Sequence, residues 1–199
     1  MNQKILAMAG AMLGLAFFAA PAAALQNDMF DLETHQPLVQ NPAALDGGQP
    51  QQSAIPRETV DWKGSQAPGS VVISTTERRL YFILPGGQAV KYGVGVGRPG
   101  FEWSGTKVVS NKKEWPDWTP PSQMLRRRPD LPRHMKGGPD NPLGARAMYL
   151  GSSLYRIHGS NEPDTIGQAV SSGCIRMTNE DVMDLFERVK VGTRVTVMR

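Results

Sequence analysis

Cys174 and His158 are the two residues of this sequence whose types and surroundings could support covalent catalysis. Cys174 is the only cysteine among 199 residues, and it lies in the run Ser-Ser-Gly-Cys-Ile-Arg at 171–176. A thiol attacks as the thiolate, so it needs a neighbouring base or cation, and histidine is the usual partner because its pKa lies near neutrality. His158 ends an apolar segment and is followed by Gly159, as expected for a ring held at a strand end over a cleft. Gly173 permits a tight turn whose amides could stabilise an oxyanion beside the thiol.

The N-terminus has the pattern of a secretory signal peptide. Lys4 precedes an uncharged, mostly apolar run over 5–20, and small residues end the segment at 22–24. A basic start, an apolar middle and a small-residue ending predict cleavage after this segment. The apolar run is shorter than the roughly 20 residues that a membrane-spanning helix needs. We therefore predict a signal peptide at 1–24, a periplasmic location and no integral membrane segment in the mature form, with a retained N-terminal anchor as the alternative.

Each of the catalytic signals also has an ordinary structural explanation. A lone cysteine can be a small buried hydrophobic residue, and a lone histidine is more commonly a hydrogen-bonded structural residue. The other two histidines, His35 and His134, fall in a predicted linker and in a basic loop. A single cysteine in an exported protein favours a reactive thiol, because secreted proteins normally use cysteines in disulfide pairs. The pair of residues identifies no substrate by itself.

The composition of the chain changes at residue 68. Residues 25–67 are rich in Gln, Pro, Ala and Asn without sustained periodicity, which predicts a flexible linker. Over 68–199, short strand-like runs separated by Gly and Pro predict a mainly β (α+β) domain. One amphipathic helix is predicted over 179–189, with Thr178 as its N-cap. The predicted strands cover residues 70–75, 80–84, 88–96, 106–109, 147–150, 154–157 and 195–197.

The charge distribution indicates an anionic partner, and one long segment indicates a functional loop. Residues 25–67 carry six acidic and two basic side chains, whereas 68–199 carry 19 basic and 12 acidic ones. A basic domain favours anionic partners, and in an exported protein an acidic polymer such as the cell wall fits better than nucleic acid, for which no binding motif is present. The segment 111–144, rich in Pro, Gly, Trp and Arg, is too long for an inert connection and predicts a functional loop.

These motifs, in this order, resemble the L,D-transpeptidase catalytic (YkuD-type) domain. His158-Gly159, followed 16 residues later by Cys174 in its Ser-Gly-Cys-Ile-Arg context, is similar to the signature of that family. The resemblance extends over 68–199 and implies an L,D-transpeptidase-like β-sandwich with one clear helix after the cysteine and a long loop that covers the cleft. It implies an exported cysteine acyltransferase of peptidoglycan biosynthesis, acting in cell wall organisation and cell shape. Further matching segments are 113–121, 141–144, 147–150, 157–163, 166–167 and 191–195.

The resemblance also implies the roles of the central residues. Cys174 would attack the bond between the L-centre of diaminopimelate and D-Ala in a tetrapeptide stem, release D-Ala and form a thioester that passes to an amine. His158 would take the thiol proton, with its ring oriented by the backbone carbonyl of Gly159. The amides of Ser172, Gly173 and Cys174 would stabilise the oxyanion.

Three further positions carry open interpretations. Arg176 matches the arginine that supports the site in this family, and either an ion pair or contact with a substrate carboxylate explains it. Tyr149 is expected on a strand that lines the cleft, with plain packing as the alternative. Ser172 stands where many members have a second histidine, which leaves His158 as the sole imidazole base.

The basic run Arg126–Lys136 lies in the region that covers the cleft in this family. It is either a surface that recruits anionic stem peptides or a solvated charge run.

The acyl acceptor separates the competing functions. A diaminopimelate amine gives a 3–3 crosslink, an amine of an outer-membrane protein attaches that protein to the wall, and water makes an L,D-carboxypeptidase or endopeptidase. A non-catalytic wall-binding module is a different class, and the intact pair of Cys174 and His158 argues against it. A general thiol protease is disfavoured because no papain-like Cys-Gly-x-Cys-Trp sequence is present. The implied partners are peptidoglycan stem peptides, and neither a cofactor nor a metal is expected.

Overall fold

The computed structural model describes residues 53–199. The predicted signal peptide and residues 25–52 of the predicted linker lie outside this range. Within it, a one-turn 3-10 helix covers Pro163–Thr165, and no helix is both long and apolar enough to cross a membrane. The other elements are β1 (Glu58–Asp61), β2 (Val71–Ser74), β3 (Arg79–Leu84), β4 (Gln88–Gly93), β5 (Val96–Gly97), β6 (Gly105–Glu114), α1 (Ser122–Arg127), β7 (Arg146–Leu150), β8 (Arg156–His158), β9 (Ala169–Ser171), β10 (Ile175–Arg176), α2 (Asn179–Arg188) and β11 (Arg194–Met198).

Nine of these strands form one continuous, curled sheet in the order β1-β4-β3-β2-β11-β6-β7-β8-β10, while β5 and β9 form a separate parallel pair. Neighbouring strands in the sheet run antiparallel except at β2–β11 and β8–β10, which are parallel. One apolar core lies on the inner face of the sheet and takes in the apolar side of α2. The prediction of a mainly β domain with one clear helix after Cys174 is confirmed.

Helix α2 forms where the sequence supplies a cap and an apolar stripe. The Thr178 side chain accepts a hydrogen bond from the Asp181 amide at 3.2 Å, which satisfies one of the free N–H groups of the first turn. Val182, Leu185 and Phe186 recur at helical spacing and are buried in the core. The helix ends at Arg188, one residue before the predicted limit.

Burial of Asp181 lowers the free energy of unfolding by an amount that depends on pH. The residue is only 4% exposed, and burial raises the pKa of its carboxyl from 3.8 to about 6, although Arg57 at 3.8 Å opposes the shift. The unfolded chain ionises this group near pH 4 and the folded chain only near pH 6. The folded state therefore binds more protons between these values, so the free energy of unfolding falls as the pH rises through this window.

We expect Asp181→Asn to stabilise the domain at pH 7.5, by at most about 3 kcal/mol, because an amide needs no proton to be buried neutral. Loss of the attraction to Arg57 reduces that gain. Thermal unfolding measured from pH 4 to pH 8 checks this, with Glu187→Gln as the control, an exposed change of equal charge on the same helix. If the parent and Asp181→Asn show the same dependence on pH, the burial cost assigned to Asp181 is wrong.

The last part of the expected linker is attached to the domain. Residues 58–61 form β1, which pairs antiparallel with β4 and provides one edge of the sheet. Trp62 packs against Tyr81 with ring centroids 5.1 Å apart, and Arg57 lies 3.3 Å from the Asp184 carboxylate. No strand was predicted here, because the run Glu-Thr-Val-Asp is short and largely exposed.

Removing residues 53–67 is therefore expected to destabilise the domain. A chain that starts at residue 68 loses the β1–β4 pairing and the burial of Trp62, and we expect its free energy of unfolding to be about 2–4 kcal/mol lower than that of a chain that starts at residue 53. Urea denaturation of the two chains measures the difference. Equal midpoints would mean that this segment acts as a linker after all.

The segment between β6 and β7 has a small core of its own. Strand β6 continues to Glu114, so the first four residues of the expected 111–144 loop are strand. In the rest of the loop Trp118, Met124, Leu131 and Leu143 pack together. Asn141 lies buried within the loop, where its Nδ2 is within hydrogen-bond distance of three backbone carbonyls, those of Pro116, Met135 and Lys136, and its Oδ1 accepts from the Leu143 amide. The loop is thus packed and hydrogen-bonded through its own residues.

Candidate active site

Strand pairing brings Cys174 and His158 to the same face of the sheet. His158 is the last residue of β8, and Cys174 directly precedes β10, which runs parallel beside β8 with Ile175 opposite Ile157. Side chains alternate along a strand, so the two isoleucines enter the core while Cys174 and His158 lie on the opposite face. The Cys174 residue is 7% exposed and His158 is fully buried. The site therefore has a nearly enclosed thiol and a desolvated imidazole on one face of the sheet.

The tautomer of His158 follows from its one backbone contact. Its Nδ1 lies 2.5 Å from the carbonyl oxygen of Gly159. A carbonyl only accepts hydrogen bonds, so Nδ1 carries the proton in the neutral ring and Nε2 has the lone pair. This arrangement leaves Nε2 as the basic atom of the imidazole.

Gly159 is required at its position by packing. A Cβ there would collide with the side-chain oxygen of Asn179, which accepts a hydrogen bond from the Ala145 amide at 2.8 Å. The first residue of α2 thereby ties the end of the long loop to the residue after the histidine. Asn179 was not identified from the sequence, because the contact joins segments that are far apart along the chain.

The turn before the cysteine is built on Gly173 and Ser171. Gly173 has φ +107°, in the region that favours glycine, and a Cβ there would lie 2.6 Å from the Tyr155 ring. The Ser171 hydroxyl accepts from the Gly173 amide at 3.0 Å and donates to the Cys174 carbonyl at 2.6 Å. Of the three amides expected to bind an oxyanion, that of Gly173 is thus already bonded to Ser171.

An aromatic stack supports this turn from one side. Trp103 donates from Nε1 to the Gly173 carbonyl at 2.8 Å, and its ring stacks on Tyr155 with centroids 4.6 Å apart and planes 6° from parallel. The Cys174 thiol lies 3.7 Å from the carbonyl oxygen of Leu154, next to that tyrosine. Sequence reasoning missed Trp103 and Tyr155, since neither belongs to a motif with a chemical role.

The contacts of Arg176 are those of a buried ion pair. The residue is 1% exposed, and its Nη1 donates to Oε2 of Glu162 at 2.9 Å. Its backbone also exchanges two hydrogen bonds with Gly95, which joins β10 to the segment that leads into β5. Of the two interpretations of Arg176, the ion pair is the one that these contacts match. Glu162 lies in a segment that resembles the family, but no local pattern marked it as the partner.

Tyr149 and Ser172 each contact an arginine. Tyr149 is half-buried opposite Arg156 on the neighbouring strand, on the face that holds His158, and its ring centroid lies 5.3 Å from the guanidinium carbon of Arg156. The Ser172 hydroxyl accepts a hydrogen bond from Arg98 Nη1 at 3.2 Å. Close to the nucleophile, this chain therefore has a hydroxyl bonded to a guanidinium.

The long loop ends against the site. A Cβ on Gly144, whose φ is +61°, would lie 2.6 Å from the Ser160 amide, so the chain passes directly over the residues that follow His158. In the basic run of the loop, Arg128 pairs with Asp130 and His134 with Asp117. Arg126, Arg127, Arg133 and Lys136 are exposed.

A cleft of about 420 Å³ opens elsewhere, on the outer face of the sheet between β1, β3 and β4. Trp62 and Tyr81 line it together with charged side chains of both signs. None of the residues expected at the catalytic site belongs to its lining.

Comparison with known proteins places these features in one family. The family model described as the L,D-transpeptidase catalytic domain (YkuD) matches residues 68–197. The chain is 42% identical over 137 residues to "Probable L,D-transpeptidase ErfK/SrfK" of Escherichia coli K12. This match covers 64% of this chain and 43% of the relative. It is 42% identical over 134 residues to "Probable L,D-transpeptidase YbiS" of the same strain, covering 63% and 43%. The chain thus spans less than half the length of these relatives.

The fold of this chain is similar to that of a solved L,D-transpeptidase structure. An L,D-transpeptidase from Mycobacterium smegmatis matches with a TM-score of 0.53 at 20% sequence identity, over 65% of this chain and 58% of that one. At this identity the likeness concerns the fold alone.

Proposed function

Since the chain belongs to the L,D-transpeptidase catalytic domain family, we propose that it is a peptidoglycan L,D-transpeptidase with Cys174 as its nucleophile. Its donor is a tetrapeptide stem, cut between the L-centre of diaminopimelate and the terminal D-Ala. The acyl group passes from the Cys174 thioester to an amine, either of a second stem or of a protein that is attached to the wall. The observation that carries the proposal is the hydrogen bond from His158 to Gly159, because it leaves a basic Nε2 on the face that also holds Cys174.

The reaction divides into two acyl transfers. In the first, His158 Nε2 takes the thiol proton as sulfur attacks the peptide carbonyl, and backbone amides of the turn 172–174 stabilise the oxyanion. The carbon–nitrogen bond then breaks, D-Ala leaves with the proton from the imidazolium, and a thioester remains. In the second, an acceptor amine attacks the thioester, loses a proton to His158 and releases the thiol. The hydrogen bond between Ser171 and the Gly173 amide has to lengthen if that amide is to contribute to the oxyanion.

Several features support the substrate and its location. The basic domain suits an anionic wall polymer, and the N-terminal pattern suits export to the periplasm through a signal peptide at 1–24. The exposed arginines of the long loop attract anionic stems and raise the rate of association, an effect that added salt weakens.

Product masses test the proposal most directly. The mature protein is incubated with a disaccharide-tetrapeptide, and the products are analysed by mass spectrometry. We expect release of D-Ala together with a crosslinked dimer. Release of D-Ala with a trimmed monomer alone would make the protein an L,D-carboxypeptidase. A protein that binds the wall but neither releases D-Ala nor forms a covalent adduct with a carbapenem would be a non-catalytic binding module.

A further inference from the structure

A guanidinium group stands beside the nucleophile turn without a carboxylate to pair with. Arg98 follows β5, and its amide donates to the Ser171 carbonyl at 2.9 Å. Its side chain is half-buried, donates to the Ser172 hydroxyl and stacks over the Phe101 ring, 4.1 Å from the ring centroid. No Asp or Glu in residues 53–199 forms an ion pair with it. The hydroxyl and the ring fix the plane of the guanidinium but leave its charge unmatched.

A second arginine lies on the strand that runs beside the nucleophile. Arg156 begins β8, on the face that holds His158, and the β8–β10 register sets it level with Cys174. Its guanidinium carbon lies 5.3 Å from the Tyr149 ring centroid. Its Nε is buried, and within the described part of the chain this atom has no hydrogen-bond partner. Arg98 and Arg156 thus flank Cys174 from β5 and from β8.

These two arginines differ from others that the fold uses. Arg57, Arg128, Arg176 and Arg188 each lie within ion-pair distance of a carboxylate of this chain. Removing a cation partly from water costs free energy unless an anion pairs with it. A planar guanidinium held on an aromatic ring is suited to bind a carboxylate through two N–H groups. Two such groups beside one thiol point to a ligand with carboxylates on both sides of its reacting carbonyl.

We propose that Arg98 and Arg156 form a carboxylate-binding subsite that holds the donor stem across the Cys174 thiol. The inference rests on the proposed function, because the bond cut there joins diaminopimelate to a terminal D-Ala and each of these residues carries a free carboxylate. Binding both carboxylates fixes the scissile carbonyl over the sulfur. It also selects stems that end at the fourth residue, since a longer stem has an amide where the D-Ala carboxylate would bind.

The test compares charge with amide on both the protein and the substrate. Arg98→Gln and Arg156→Gln are assayed with disaccharide-tetrapeptide, and with two analogues in which either the diaminopimelate or the D-Ala carboxylate is an amide. Each variant should lower kcat/KM for the free acid about 10- to 100-fold, the scale of a lost charge-assisted hydrogen bond. Each should lose nothing further on the analogue that lacks its own carboxylate, which also shows which arginine binds which group. Arg98→Lys and Arg156→Lys should recover part of the loss.

Two controls separate this subsite from other effects. Arg194→Gln removes an exposed arginine charge from the start of β11 and should keep the parent kcat/KM. Alkylation of Cys174 by iodoacetamide, a neutral reagent, should proceed at the parent rate in both glutamine variants. The subsite is refuted if Arg98→Gln and Arg156→Gln keep the parent kcat/KM, lose the same factor on both amidated analogues, or are slowed equally with iodoacetamide. A parent protein that alkylates normally but acylates on no stem would instead refute the proposed function, and the subsite with it.

Discussion

Replacing Cys174 with alanine is expected to abolish both transfer and hydrolysis of the stem peptide while the domain stays folded. The sequence has no other thiol, so no second residue can form the thioester. The side chain is small and lies at the end of a turn whose shape is set by Gly173, Ser171 and Trp103. Removing one sulfur atom there leaves these contacts in place, and we expect a stability change of about 1 kcal/mol or less, as for a small buried hydrophobic residue.

The measurement is D-Ala release followed by mass spectrometry, beside thermal unfolding of the same preparation. Cys174→Ser provides the matched variant, because its hydroxyl has the same connectivity as the thiol but ionises far less readily. We expect it to be inactive as well, with no adduct after incubation with a carbapenem. Turnover by purified Cys174→Ala, at any rate above that of a blank without enzyme, would rule out Cys174 as the nucleophile.

The parts of the fold that could be predicted are those with a local signal. Strands β2, β3 and β7 were predicted to within one residue at each end, because their apolar runs are bounded by turn residues. The predicted 88–96 strand divides into β4 and β5, since the chain leaves the sheet at Gly95 to bond with the backbone of Arg176. Sequence pattern alone cannot show that crossing, because the partner lies some 80 residues away.

The residues of the site likewise divide into those with a local signal in the sequence and those without one. Cys174 and His158 stood out by residue type and spacing, and Gly159 and Gly173 by the turns that follow or precede them. The residues that hold them in place carry no such mark. Glu162, Asn179, Trp103 and Tyr155 act through contacts with distant segments, and each is an ordinary choice at its own position. A long-range contact becomes visible only once strand order is known.

Replacing His158 is expected to slow acylation of Cys174 by roughly two orders of magnitude or more, the usual scale for a positioned acid–base group. The ring donates a hydrogen bond from Nδ1 to the Gly159 carbonyl, so Nε2 is the atom that can take the thiol proton. Ser172, two residues before Cys174, has its hydroxyl bonded to a guanidinium, which cannot act as a base. Within residues 53–199, the only other histidine, His134, lies exposed in the long loop and contacts Asp117.

Burial of the ring decides which variant isolates its chemistry. His158 is fully buried, so His158→Ala leaves a void and an unmatched Gly159 carbonyl, and we expect it to cost about 2–4 kcal/mol of stability in addition to the lost rate. His158→Gln fills most of the same space and can donate to that carbonyl, but its amide cannot accept the thiol proton. Thioester formation with a carbapenem, timed by mass spectrometry, is compared with thermal unfolding for both variants. If His158→Gln is stable and slow, the ring is the base. If it acylates at the parent rate, His158 is a structural residue and not the base.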